Sequence, residues 1–225
     1  AKSHQVGKFQ KNWPAFLRSG DNKMELFNLL AKSIYTCENG LVYATLKESS
    51  VCNKIVRSPI YCTQEEADTR IFVHLKDAVE RDCITTATIQ SNDTDIVVIA
   101  VAFFHELKEL GLKELWVSFG LSRTKRWYPI HDLANKLGPS KSKGLLYFHA
   151  LSVCDIVSSF RNKGKKKFYN TWNIVPEVTD TFVKFSTYPV IIEDSDIKLI
   201  ERFIILLYDR SSTIENVNIP RKELF

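Results

Sequence analysis

Residues 83–119 leave this chain the least freedom in how it can fold. CITTATIQ (83–90) is rich in β-branched residues and reads as a strand. IVVIAVAFFHELKELG carries an apolar helical stripe, and ELWVSF (114–119) reads as a second strand beyond the helix-ending Gly111. Strand, helix and strand in succession demand a crossover, so a mostly parallel sheet covered on both faces is expected. Sheets of that kind place ligands at the carboxyl ends of their strands. The residues arriving there are acidic: Asp93 and Asp95 follow the first strand, with Asp93 at the N-cap of the helix.

The flanking sequence extends this alternation. NKMELFNLLAKSIY (22–35) fits an amphipathic helix, and LVYATLK and VCNKIV on either side of 48–50 read as a hairpin. Between about 64 and 81, Ala67, Ile71, Leu75, Ala78 and Val79 share one helical face, and Thr63 with Glu66 forms the T-x-x-E of a capping box. Downstream, RWYPI (126–130) reads as a short strand. HDLANKLG (131–138) reads as a short helix stopped at Gly138-Pro139, and further helices are expected at 143–153, 164–172 and 196–208. The organisation expected is a helical lead-in over 1–40, an α/β core over 41–185 and a helical extension over 186–225. The start at Ala1 and the ending NIPRKELF read as a piece of a longer protein.

Bulk properties narrow the function class. At 225 residues, 44% hydrophobic and 25% charged, the chain can bury one sizeable core. Its longest apolar run, 96–104, is far short of the roughly 20 residues that cross a bilayer, so no membrane partner is expected. Five cysteines at irregular spacings, without a C-x-x-C pair, suggest neither zinc nor a disulfide framework, which fits an intracellular protein. No G-x-S-x-G, G-x-x-x-x-G-K-[ST] or G-x-G-x-x-G string is present, which argues against serine-hydrolase, P-loop and dinucleotide chemistry. The net charge of +5 is unevenly spread. Between 136 and 170, eight basic residues face one acid, Asp155, and that excess is the footprint of a surface facing phosphates.

Hard divalent cations such as Mg2+ or Mn2+ bind oxygen ligands and keep several waters, so they require carboxylates converging from separate elements. Glu66 and Asp68, at the start of the helix near 64, and Asp93 and Asp95 are candidates on these grounds, with Glu65 a neighbour. Each also has a structural role open to it: Glu66 in the capping box, Asp68 at the positive end of a helix dipole, Asp93 as an N-cap.

Three strings in order, CTQEEADTRIFVH (62–74), SNDTDIVVIAV (91–101) and LLYFHALSVCDIVSSFRNKGKKKF (145–168), resemble a flap-endonuclease-related, PIN-like family. The resemblance covers roughly residues 22–185 and implies a three-layer α/β/α (Rossmann-like) domain with a helix-two-turn-helix segment. It further implies two catalytic Mg2+ or Mn2+ ions, with Glu66 and Asp68 serving one and Asp93, Asp95 and Asp155 the other. The implied activity is structure-selective hydrolysis of DNA or RNA phosphodiesters, on branched or duplex substrates, in an intracellular setting that includes the nucleus. Arg161, Lys163, Gly164, Lys165, Lys166 and Lys167 would hold the nucleic-acid backbone.

The chain departs from the family pattern in three places. Val153 replaces a usual glycine, Gln64 replaces a histidine, and residues 1–40 contain no aspartate but Asp21 to match an acidic first strand. These departures motivate the alternative, an inactive nuclease-fold module that binds nucleic acid or acts as a scaffold. His131 and His149 are not needed as general bases in two-metal hydrolysis, and His149, between Phe148 and Ala150, is expected to pack within a helix.

Overall fold

The computed structural model describes residues 12–38, 40–46, 49–54, 60–61, 66–120, 125–153 and 160–214. The chain divides into two compact units, Ala1–His74 and Leu75–Phe225.

In the first unit a short helix, α1 (Trp13–Phe16), begins where the Asn12 side chain accepts a hydrogen bond from the Ala15 amide at 3.2 Å. It leads into α2 (Gly20–Tyr35) and a hairpin of β1 (Tyr43–Leu46) with β2 (Ser49–Cys52). The register pairs Leu46 with Ser49 and Thr45 with Ser50, so Ser49 and Ser50, expected between the strands, are strand residues. Asn53 organises the approach to β1. Its Nδ2 donates to the carbonyls of Cys37 (2.8 Å) and Gly40 (3.0 Å), while its Oδ1 accepts from the Val42 amide (2.9 Å). The helix α3 (Ala67–Asp82) starts in this unit, where Thr45 Oγ1 and His74 Nε2 lie 3.1 Å apart.

The second unit holds the expected strand-helix-strand: β3 (Thr86–Ser91), α4 (Thr94–Glu109) and β4 (Glu114–Phe119). β3 and β4 are parallel, in register from Thr86 with Glu114 to Ser91 with Phe119. Ile96, Ala100, Val101, Phe104 and Leu107 of α4 are buried, at the spacing of a single helical face. On β3 the burial alternates: Ile89 is buried while Thr86, Thr88 and Gln90 are exposed. The third strand, β5 (Arg126–Pro129), pairs antiparallel with β4, from Trp116 with Pro129 to Phe119 with Arg126. The described sheet is therefore mixed rather than mostly parallel. β4 ends at Phe119 and β5 begins at Arg126, a separation in sequence well short of the dozen or more residues that a parallel crossover takes.

Helices complete the unit: α5 (Ile130–Leu137), α6 (Pro139–Val153), α7 (Lys165–Ile174), α8 (Val178–Phe185) and α9 (Asp194–Tyr208). Gly138, at φ +79°, caps α5, and α6 starts at once with Pro139. That is four residues earlier than expected, because proline is well suited to a first helical position. α6 to α9 enclose a core of Phe148, Phe168, Trp172, Val175, Val178, Phe182, Phe203, Leu206 and Leu207. Phe148 stacks on Trp172 with centroids 5.0 Å apart, and the indole Nε1 donates to Thr179 Oγ1 at 2.9 Å. α6 and α8 approach closely at Gly144, where an added Cβ would lie 3.2 Å from Phe182 Cβ. The result is a mixed α/β fold, and among the described residues no helix is long and apolar enough to cross a membrane.

Candidate acidic site and basic turn

The loop between β3 and α4 is built by its own short polar side chains. Asp93 has extended backbone and caps α4, its Oδ1 accepting from the Asp95 amide at 2.9 Å, while its own amide donates to Ser91 Oγ at 3.0 Å. Asn92 Oδ1 accepts from the Gly120 amide at 3.0 Å and so fastens the loop to the end of β4. The string S-N-D-T-D folds this way because Ser, Asn and Asp satisfy nearby backbone donors more readily than other residues. Both aspartates thus stand at the carboxyl edge of the parallel pair, as the sequence predicts.

One residue brings this edge together with the basic segment. His149 of α6 places Nε2 3.0 Å from Asp95 Oδ1 and Nδ1 3.3 Å from Lys165 Nζ. A lysine ammonium can only donate, so Nδ1 is the acceptor and Nε2 carries the proton given to Asp95. The imidazole then lies between an anion and a cation. Its side chain is 15% exposed against 47% for Asp95. The expectation that His149 merely packs in its helix missed this pairing. The available signal was its place inside the third string, LLYFHALSVCD, shared with Asp155.

The basic turn runs from Phe160 into α7. Lys163 donates its amide to the Phe160 carbonyl at 3.1 Å, Asn162 has φ +58°, and Gly164 is the N-cap of α7. Gly164 has φ −87°, open to any residue, and an added Cβ would meet nothing within 4 Å. Neither conformation nor packing therefore demands glycine there. Lys165, Lys166 and Lys167 occupy the first turn of α7, with no acid among them, at the end where the helix dipole disfavours cations. Lys163 Nζ lies 4.3 Å from the centroid of the Tyr208 ring. The Lys167 ammonium holds Lys163 below the usual lysine range, as a hydrogen-bond partner first; partial burial adds to this, and then like-charge repulsion.

The remaining candidates are placed as follows. Glu66 is exposed ahead of α3, with its carbonyl accepting from the Arg70 amide (3.2 Å) and Thr69 Oγ1 (3.1 Å). Asp68 is half-buried in the first turn of α3. Both belong to the first unit, whereas Asp93 and Asp95 belong to the second. Asp155, Glu65 and the Thr63 half of the expected capping box lie outside the described residues, as does Gln64. Among the described residues, no three His, Cys, Asp or Glu side chains are grouped to hold a metal ion. Asp93 and Asp95 do fit part of a hard-cation site. Both are carboxylates, each commits Oδ1 to the protein, and each keeps a second oxygen of the kind Mg2+ and Mn2+ accept.

Comparison with protein-family models, curated proteins and solved structures returns no match.

Proposed function

We propose that this chain is a divalent-metal-dependent, structure-selective nuclease of the flap-endonuclease-like class, built on a three-layer PIN-like domain. The observation that carries the reading is the pair Asp93 and Asp95 at the carboxyl edge of β3, joined through His149 to the lysine-rich start of α7. Carboxylates for cations and lysines for phosphates are the two halves a phosphodiesterase needs. Glu66, Asp68, Asp93, Asp95 and Asp155 would hold two Mg2+ or Mn2+ ions. Those ions, when bound, supply Lewis-acid activation of water and neutralise charge developing on the phosphate.

The residues of the chain itself orient and bind. Asp93 and Asp95 are held by backbone and imidazole, and Arg161, Lys163, Lys165, Lys166 and Lys167 offer cations to a nucleic-acid backbone. Gly164 supports this role, since a glycine that neither packing nor φ requires leaves its backbone open to close approach by a phosphate. Such contacts read shape and charge rather than base sequence.

The test is a Mn2+ titration that follows thermal stability and cleavage of a labelled branched DNA together. Stabilisation with cleavage is expected, and Asp93→Ala or Asp155→Ala should abolish cleavage while the fold persists. Binding should weaken with salt, with a log–log slope of about −3 to −5 for the five cations of the turn. A second reading, a module that binds nucleic acid without cutting it, is favoured by the structural use already made of Asp93 and Asp95. Salt-sensitive binding with no Mn2+-dependent cleavage would select it, and no binding at low salt would defeat both.

A further inference from the structure

We infer that His149 is a positioning residue that sets the orientation of Asp95 and ties it to Lys165, so that the acidic edge and the basic turn act as one unit. The inference rests on the nuclease reading above for its purpose, though not for its geometry. A carboxylate turns in a broad, shallow torsional well, so an aspartate serving a cation needs a partner that fixes its plane. Asp93 has such a partner in the Asp95 amide, at 2.9 Å. Asp95 finds its own in His149 Nε2, at 3.0 Å.

A histidine that only filled space would not commit both nitrogens to charged groups on two other helices. Here the ring spans three elements: it is carried by α6, donates to α4 and accepts from α7. It is also the best covered point of that chain, at 15% exposure, so its own position is set by packing while Asp95 and Lys165 reach toward solvent. Lys165 is the first residue of α7, next to Gly164. Holding its ammonium on His149 directs the start of the basic turn toward the same edge that carries Asp93 and Asp95. Removing the ring therefore releases an acid and a base together, an effect that neither Asp95→Ala nor Lys165→Ala produces alone.

Two readouts on the full chain test this. In the metal-free protein, the nitrogen-15 spectrum of the His149 ring should show a protonated Nε2 and a bare Nδ1, and Asp95→Ala should erase that fixed pattern. A protonated Nδ1, or a ring unaffected by Asp95→Ala, overturns the inference. With Mn2+ alone as probe, His149→Ala should weaken binding about tenfold. His149→Gln, which can still donate to Asp95 from its amide, should recover most of the loss. Equal losses in His149→Ala and His149→Gln would mean a packing role instead. If Asp95→Ala itself leaves Mn2+ binding unchanged, the nuclease reading is what fails, and the ring spectrum alone then decides the positional role.

Discussion

Two helices with similar apolar patterns meet opposite fates in this molecule. α9 buries Phe203, Ile205, Leu206 and Leu207, whereas α2 leaves Met24, Phe27, Leu29 and Leu30 exposed, with Ala31 its one buried residue among those whose burial is described. Periodicity specifies a helix and a stripe, but burial requires a facing surface of matching shape. α9 meets the aromatic cluster formed by Phe168, Trp172 and Phe182. At about 1.5–3 kcal/mol for each large apolar side chain taken fully out of water, α9 gains what α2 forgoes. Stability should accordingly be concentrated in the second unit.

The sharpest way to break that contrast is Trp172→Ala, which removes a fully buried indole and leaves Thr179 without its donor. Urea unfolding should show a loss of about 3–5 kcal/mol. A loss near zero would mean that the cluster is not where stability resides. Gly144→Val comes next, since its branched side chain must enter a gap already filled by Phe182 and Trp172, at a cost of about 1–3 kcal/mol. Gly144→Ala should cost less, because alanine recovers about 1 kcal/mol of helix propensity.

A smaller, pH-dependent effect comes from Lys184, which sits 2.6 Å from Asp196 and 3.1 Å from Glu193. Lys184 together with the Glu193 backbone holds Asp196 below the usual carboxylate range, and Asp196 holds Lys184 above the usual lysine range. The aspartate contribution is present above its unfolded pKa and lost as pH falls through its lowered folded value. The lysine contribution is present below its unfolded pKa and lost as pH rises through its raised folded value. Thermal melts of Asp196→Asn against the parent should therefore differ across the neutral range and converge toward both extremes. The smallest effect belongs to α2: Phe27→Ser should change stability by no more than about 0.5 kcal/mol, and a large loss would show that its face is covered after all.

The sequence was readable wherever structure is local. β3, α4 and β4 follow from β-branched runs and a 3.6-residue period, and Asp93 as N-cap follows from its short acceptor ahead of an apolar run. The mixed sheet, the hairpin shift and α8 were harder to read. α8 is eight residues long, and its burial of Val178 and Phe182 depends on Gly144 and Trp172 elsewhere in the chain. The same reason separates the halves of the candidate site. Asp93 and Asp95 announce themselves by adjacency, but His149 gains its role from partners on two other helices, which no window along the chain contains.

The crowding of Lys163 against Lys167 has a consequence in protons. The hydrogen bond with Lys167 first, then burial, then like-charge repulsion favour the state in which Lys163 is neutral, which is why Lys163 lies below its usual value. Any polyanion docking on the turn relieves that repulsion and restores the proton. Association there must then draw protons from solution in the alkaline range and weaken as pH rises through it. A calorimetric titration run in two buffers of different ionisation heat would read that uptake directly.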